Sequence, residues 1–175
     1  MPTSITINRA PVLTLWASIV AERLGFDVEE ALTLGRAVAG YTAQAKGQTL
    51  GIYHAKDEGE RSPRENEGEF VFVNLMGRTL PALRTRAGVR AAERDKPADP
   101  DSVRRYLASK FGESLAEAEG ALRELAAAFS PGQLDEQAYS LYERFRPKVP
   151  RGKPGWGAAG ELDLDRVRAL IPKKE

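Results

Sequence analysis

The sequence predicts a mainly α-helical fold, six to seven helices in a single domain spanning residues 1–175, with one small β-hairpin. Three observations carry that expectation. Apolar residues recur at helical spacing through most of the chain, residues that start and stop helices fall at the ends of those stretches, and strand-like alternation is confined to residues 79–94.

A first helix is expected from Pro11 to Leu24, with Val12, Leu15, Trp16, Ile19, Val20 and Leu24 on one face. Pro11 suits its first turn, where a missing amide leaves no bond unmade. Gly25 can leave the helix with positive φ, while Asp27 and Glu30 form an Asp-containing capping box for a second helix from Val28 to Lys46, ended by Gly47. Along that helix Ala31, Gly35, Ala39 and Ala43 form a row of small residues against which another helix can approach closely. Two helices meeting at a short Gly corner, with the small Ala21 before it, are the frame of a helix-turn-helix unit.

Residues 48–53 read as a short extended piece, and residues 54–68, polar and without a large apolar side chain, as a mobile surface loop. The apolar run 70–76 must be buried, and a short helix is favoured there although so brief a run carries no decisive period. Residues 79–85 and 89–94 read as the two strands of the hairpin, with Gly88 in the turn and Pro81 confining its strand to an edge. Asp99-Pro100 opens a helix to Phe111, closed by Gly112. Ser114 with Glu117 is expected to box a helix to Phe129, and Ser130-Pro131 with Gln133 starts one that reaches Phe145 before Pro147. A Gly/Pro-rich basic crossing over 147–160 leads to a last short helix from Leu164, capped by Asp163.

Composition narrows the chemistry. The chain has no cysteine, and His54 is its only histidine, so thiolate zinc sites, iron–sulfur clusters, cysteine nucleophiles and multi-histidine metal sites have no ligands to draw on. Carboxylates crowd residues 57–69 but alternate with cations in a polar setting that would not raise a pKa. The expectation is a non-enzymatic protein without catalytic residues, metal or cofactor. No apolar run nears the roughly 18 residues of a spanning helix, and the start lacks the pattern of a signal peptide, which predicts a cytoplasmic protein without a membrane partner.

Net charge is only +1, so any electrostatic function depends on how charge is distributed. Residues 78–96 hold six basic and two acidic side chains, residues 144–153 hold five basic ones, and residues 110–136 hold two basic against six acidic.

Three stretches, Pro11–Ala17 with Glu30–Gly40, Tyr106–Gly112, and Leu141–Pro147 through Gly155–Leu164, resemble a family of small bacterial proteins of unknown function with a helix-turn-helix-like N-terminal pair. The resemblance covers most of the chain and implies one domain, and it brings no catalytic residue, cofactor or substrate with it.

Three features are candidates for function. The second helix would present Glu29, Thr33, Arg36 and Gln44 to a DNA groove, although acids at its N-terminal end repel phosphate, and such corners also occur in ordinary bundles. The hairpin arginines, Arg84, Arg86 and Arg90 with Arg78 and Arg94, suit phosphate contact, or else guard a strand edge. The crossing offers Arg151 and Lys153 beside four glycines whose amides can cradle an anion, and Trp156 as a stacking plane; the alternative is that Trp156 plugs a groove in the helical body. Its Gly-Lys-Pro lacks the Ser or Thr of a phosphate-binding P-loop. The leading expectation is a nucleic-acid-binding module contacting DNA or RNA through Arg84, Arg86, Arg90, Arg151, Lys153 and Trp156 on one common side. The alternatives are a protein–protein adaptor and, more remotely, a small-molecule site at Trp156.

Overall fold

The computed structural model describes residues 4–49, 69–93, 96–148 and 159–172, with the side chains of 41–49, 69, 93 and 159 left aside. Among them, helices α1 (Arg9–Arg23), α2 (Val28–Thr49), α3 (Pro100–Phe111), α4 (Leu115–Ala127), α5 (Pro131–Phe145) and the six-residue α6 (Leu164–Ala169) share the chain with six strands. Strands β2 (Glu69–Leu75), β3 (Arg78–Thr85), β4 (Gly88–Glu93) and β5 (Lys96–Pro97) form an antiparallel sheet in that order, and β1 (Ser4–Asn8) pairs with β6 (Ala159–Asp163) in a second sheet. The fold is therefore α+β, not the mainly α, six- to seven-helix domain with one hairpin expected from the sequence. Two things overturn that expectation. The run 70–76 is a strand rather than a short helix, and the two chain ends zip together across more than 150 residues, a pairing without a local signal.

Helix α1 is buried on every side from Pro11 to Ala21, the mark of a helix surrounded by the rest of the fold. Its two polar residues are satisfied internally: the Thr14 hydroxyl donates to Ala10 O (2.9 Å) and that of Ser18 to Thr14 O (2.8 Å). Gly25 has φ +114° and ends the corner as expected. Of the row of small residues on α2, Ala31, Gly35 and Ala39 are buried, and Ala43 lies outside the described side chains. Helix α2 runs past Gly47 to Thr49, so Gly47 does not terminate it. The expected extended piece beyond residue 49 and the loop 54–68 lie outside the described residues.

The Asp27–Glu30 box forms, with Asp27 N–H donating to Glu30 Oε1 (3.0 Å) and Glu30 N–H to Asp27 Oδ1 (2.8 Å). Glu30 does a second job. Its Oε2 accepts from Val89 N–H (2.9 Å), and one helical turn on the Thr33 hydroxyl accepts from Ala91 N–H (3.0 Å). Alternate outward amides of β4 are thus met by side chains three apart on α2, which covers the strand's edge. Replacing Glu30 with Ala removes a cap and orphans a partly buried amide, an expected loss of about 2–3 kcal/mol. Glu30→Gln keeps one oxygen for two amides and should fall between. Thermal melts and hydrogen exchange at Val89 check this; unchanged exchange would show that the edge is held otherwise.

The β2–β3 turn is Met76-Gly77, both at positive φ (+53° and +78°), as a two-residue type I′ turn requires. Burial of the Met76 side chain and a bond from its N–H to Asp135 Oδ1 on α5 (2.9 Å) hold a non-glycine residue in that conformation. Strand β3 has neighbours on both sides, so Pro81 does not confine it to an edge. The two-residue turn makes Leu75–Arg78 a hydrogen-bonded pair, which leaves Phe72–Pro81 a non-hydrogen-bonded one, with the Pro81 nitrogen turned towards β4. The β3–β4 ladder begins only at Ala82–Ala91, so the amide that proline lacks is not needed there.

Most remaining helix signals hold. Asp99 caps α3, Ser130 and Gln133 form the capping box of α5, and Asp163 caps α6. Ser114 is the exception: it belongs to a 3₁₀ turn, Gly112–Ser114, that runs straight into α4, and its side chain makes no cap.

Candidate nucleic-acid interface

The residues expected to meet phosphate are spread over different places. Arg84 and Arg86 are exposed where β3 turns into β4. Arg90 is only 6 % exposed, its Nη2 donating to Glu29 Oε1 (3.1 Å) and Nη1 to Val89 O (3.0 Å), so its guanidinium points into the α2–β4 contact. Glu29 also faces Arg104 of α3 at 3.7 Å. Arg94, Arg151, Lys153 and Trp156 lie outside the described residues, and with them the expectation of a single common patch.

The same contacts remove the surface a helix-turn-helix reading needs. Of the α2 residues expected to face a groove, Thr33 is buried against β4 and Glu29 is engaged by Arg90 and Arg104. Arg36 is exposed and lies over the Tyr106 ring of α3 at 4.7 Å, and the Gln44 side chain is outside the described set. A helix covered by a strand and another helix along this face cannot enter a major groove with it.

Charge gathers instead at the C-terminal end of α5. The stripe Leu134, Ala138, Leu141 and Phe145 binds this helix to the core, with Tyr142 buried beside it. Trp16 donates from Nε1 to Ala138 O (2.9 Å), and Phe145 meets the Trp16 ring edge-on at 5.3 Å. Arg146 then leaves the helix with ψ 154°, its N–H still bonded to Tyr142 O (2.7 Å). Arg9, the first residue of α1, reaches this end from another element: its Nε donates to Pro147 O (2.9 Å), and its own carbonyl accepts from the Tyr142 hydroxyl (3.4 Å). Burial, and then the charge of Arg146, lower the Arg9 pKa from its ordinary value. Burial raises that of Tyr142, which stays neutral. Arg78, at the start of β3, places its guanidinium 4.2 Å from the centre of the Tyr139 ring on the same helix. Six steps along the strand separate Arg78 from Arg84, roughly 20 Å, so the two ends of β3 serve different surfaces.

No known protein family, curated protein or solved structure matches this chain. Function has to be read from the chain itself.

Lys148 pairs with Glu161 of β6 through two bonds of 3.1 Å, so the ends of the 147–160 crossing are brought together. Gly160 makes the approach possible, since a Cβ there would come within 2.8 Å of the Lys148 carbonyl carbon and overlap its oxygen. The Glu161 carboxylate on this strand is held by the hydroxyls of Ser4 and Thr6, which lower its pKa. Sequence reasoning missed Arg9, a lone cation ahead of an apolar helix; the signal was absent because only the tertiary pairing of α1 with α5 brings it here. Among the described residues no cluster of three or more acidic or histidine side chains is placed to hold a metal, and no helix is long and apolar enough to cross a membrane.

Proposed function

We propose that this protein is a nucleic-acid-binding module whose contact surface is the foot of the 147–160 crossing, not the α1–α2 corner. The observation that carries the reading is the Lys148–Glu161 pairing, which sets both ends of the crossing beside Arg9 and Arg146. Arg151, Lys153 and Trp156 belong in sequence to that crossing, which thus carries both cations for phosphate and a ring for base stacking. The exposed Arg84 and Arg86 form a separate cationic end of the sheet.

The test is fluorescence anisotropy with single-stranded and duplex oligonucleotides between about 50 and 200 mM salt, where each phosphate contact contributes to a steep loss of affinity. Replacing Arg151 and Lys153 with Ala should reduce the salt slope by about one for each. Trp156→Ala should weaken single-strand binding more than duplex binding, by about 1–3 kcal/mol if one base stacks on it. Changing Arg84 and Arg86 together reports whether the surface extends along the sheet. Absence of binding at low salt would overturn the reading.

One observation favours a protein partner as the second reading. Phe72 is 62 % exposed on β2, directly across from the exposed Pro81, an apolar pair facing solvent. Under that reading Phe72→Ser abolishes co-purification of a partner and leaves oligonucleotide binding untouched.

A further inference from the structure

We infer that Arg9 and Arg146 form a binding site for a phosphate group at the C-terminal end of α5. The inference rests on the nucleic-acid reading for the source of that phosphate, but the geometry stands without it. Arg9 is held at both ends: its Nε is fixed on Pro147 O at 2.9 Å and its carbonyl accepts from Tyr142. The carbonyl it grips belongs to Pro147, the residue after Arg146, so the Arg9 guanidinium is fixed next to the stretch of backbone that carries the Arg146 side chain.

Among the described residues nothing acidic balances them. Among the described residues the ion pairs engage Arg90, Arg104, Arg123 and Arg168, and neither Arg9 nor Arg146 has a carboxylate within 4.0 Å. Glu143, one turn before Arg146, pairs with neither. The helix end itself supplies about half a negative charge, which covers a minor part of two cations. Both arginines are half-buried, so water screens them incompletely. The Arg9 pKa is lowered by burial and by Arg146, the direction that like charges held together produce. A phosphate, with one charge in a backbone diester and up to two when free, and with oxygens spaced for the guanidinium fork, answers both the excess charge and the unused N–H donors.

The phosphate can belong to a nucleic-acid backbone or be a free phosphate, and the experiment separates these. Thermal unfolding of the full chain is measured in sodium phosphate and in sodium chloride at matched low ionic strength. The site predicts a higher Tm in phosphate for the wild type and loss of that difference in Arg146→Gln, whose side chain holds no described contact and whose folding is checked by circular dichroism. An equal rise in both proteins, or none in the wild type, overturns the site. A second arm adds inorganic phosphate to the protein bound to a labelled single-stranded oligonucleotide. Displacement, with at least a fivefold loss of oligonucleotide affinity in Arg146→Gln, assigns the site to the backbone. Phosphate stabilisation through Arg146 without effect on oligonucleotide binding assigns it to a free phosphate and supports the site alone. Oligonucleotide binding that survives in Arg146→Gln without any phosphate effect overturns the site and leaves the nucleic-acid reading in place.

Discussion

Gly35→Ala is expected to lower stability by about 3 kcal/mol, although it adds one methyl group to a helix. Alanine ordinarily strengthens a helix by nearly 1 kcal/mol over glycine, so the sign is set by packing alone. At position 35 a Cβ would overlap the Ser18 hydroxyl and come within 2.6 Å of Thr14 O and 2.7 Å of Ser18 N. Two of those three atoms are backbone of α1, and α1 is enclosed on every side, so the helices must separate rather than adjust a rotamer. For a chain of this size the loss corresponds to roughly 6–12 °C in Tm. Gly120→Ala is the control: it lies exposed within α4, where a Cβ meets nothing within 4 Å, and should stabilise by up to about 1 kcal/mol. Combining Gly35→Ala with Ser18→Ala should recover only part of the loss. Full recovery in urea melts would mean that the hydroxyl, not the backbone, sets the closeness of α1 and α2.

That contact was legible in the sequence because small residues at four-residue spacing have one physical use in a helix, close approach. Caps were legible for a similar reason. Asp27 with Glu30, Asp99 before Pro100, Ser130 with Gln133 and Asp163 each satisfy amides within three residues of themselves, so a local reading suffices. The missed strands share the opposite property. Residues 70–76 are apolar on both faces and carry no period, and the telling signal was the Met76-Gly77 turn that folds them onto β3. Strands β1 and β6 are five residues each and pair with one another from the two ends of the chain, where neither has a near neighbour to announce it.

The candidate site divides along the same line. The basic character of the crossing is written in its composition, whereas the fate of individual arginines is tertiary. Arg84 and Arg90 look alike in the sequence, two cations on successive strands. One is exposed and the other faces Glu29, because α2 lies along the edge of β4 and not along the far end of β3. Arg9 carried no mark at all until α5 was laid against α1.

How firmly α5 is laid there is the subject of the second large effect. Trp16 and Arg9, both on α1, bond to Ala138 and Pro147 on the α5 side, the earlier α1 residue to the later partner, so the two helices run antiparallel and are tied at two points. Trp16 is fully buried, and its truncation to Ala should cost about 4 kcal/mol through the cavity left against Phe145 and the lost transfer of the indole from water. Trp16→Phe keeps an aromatic edge for Phe145 and removes the Nε1 donor. The Ala138 carbonyl lies inside α5 and keeps its helical bond, so no acceptor is orphaned and the cost should be nearer 1–2 kcal/mol. The two variants then separate volume from hydrogen bonding. If they destabilise equally, the indole N–H and not the ring mass holds the helices together. If Trp16→Ala costs less than about 1 kcal/mol, the α1–α5 contact can collapse around the gap, and the fixed placement of Arg9 beside Arg146, on which the phosphate site depends, fails with it.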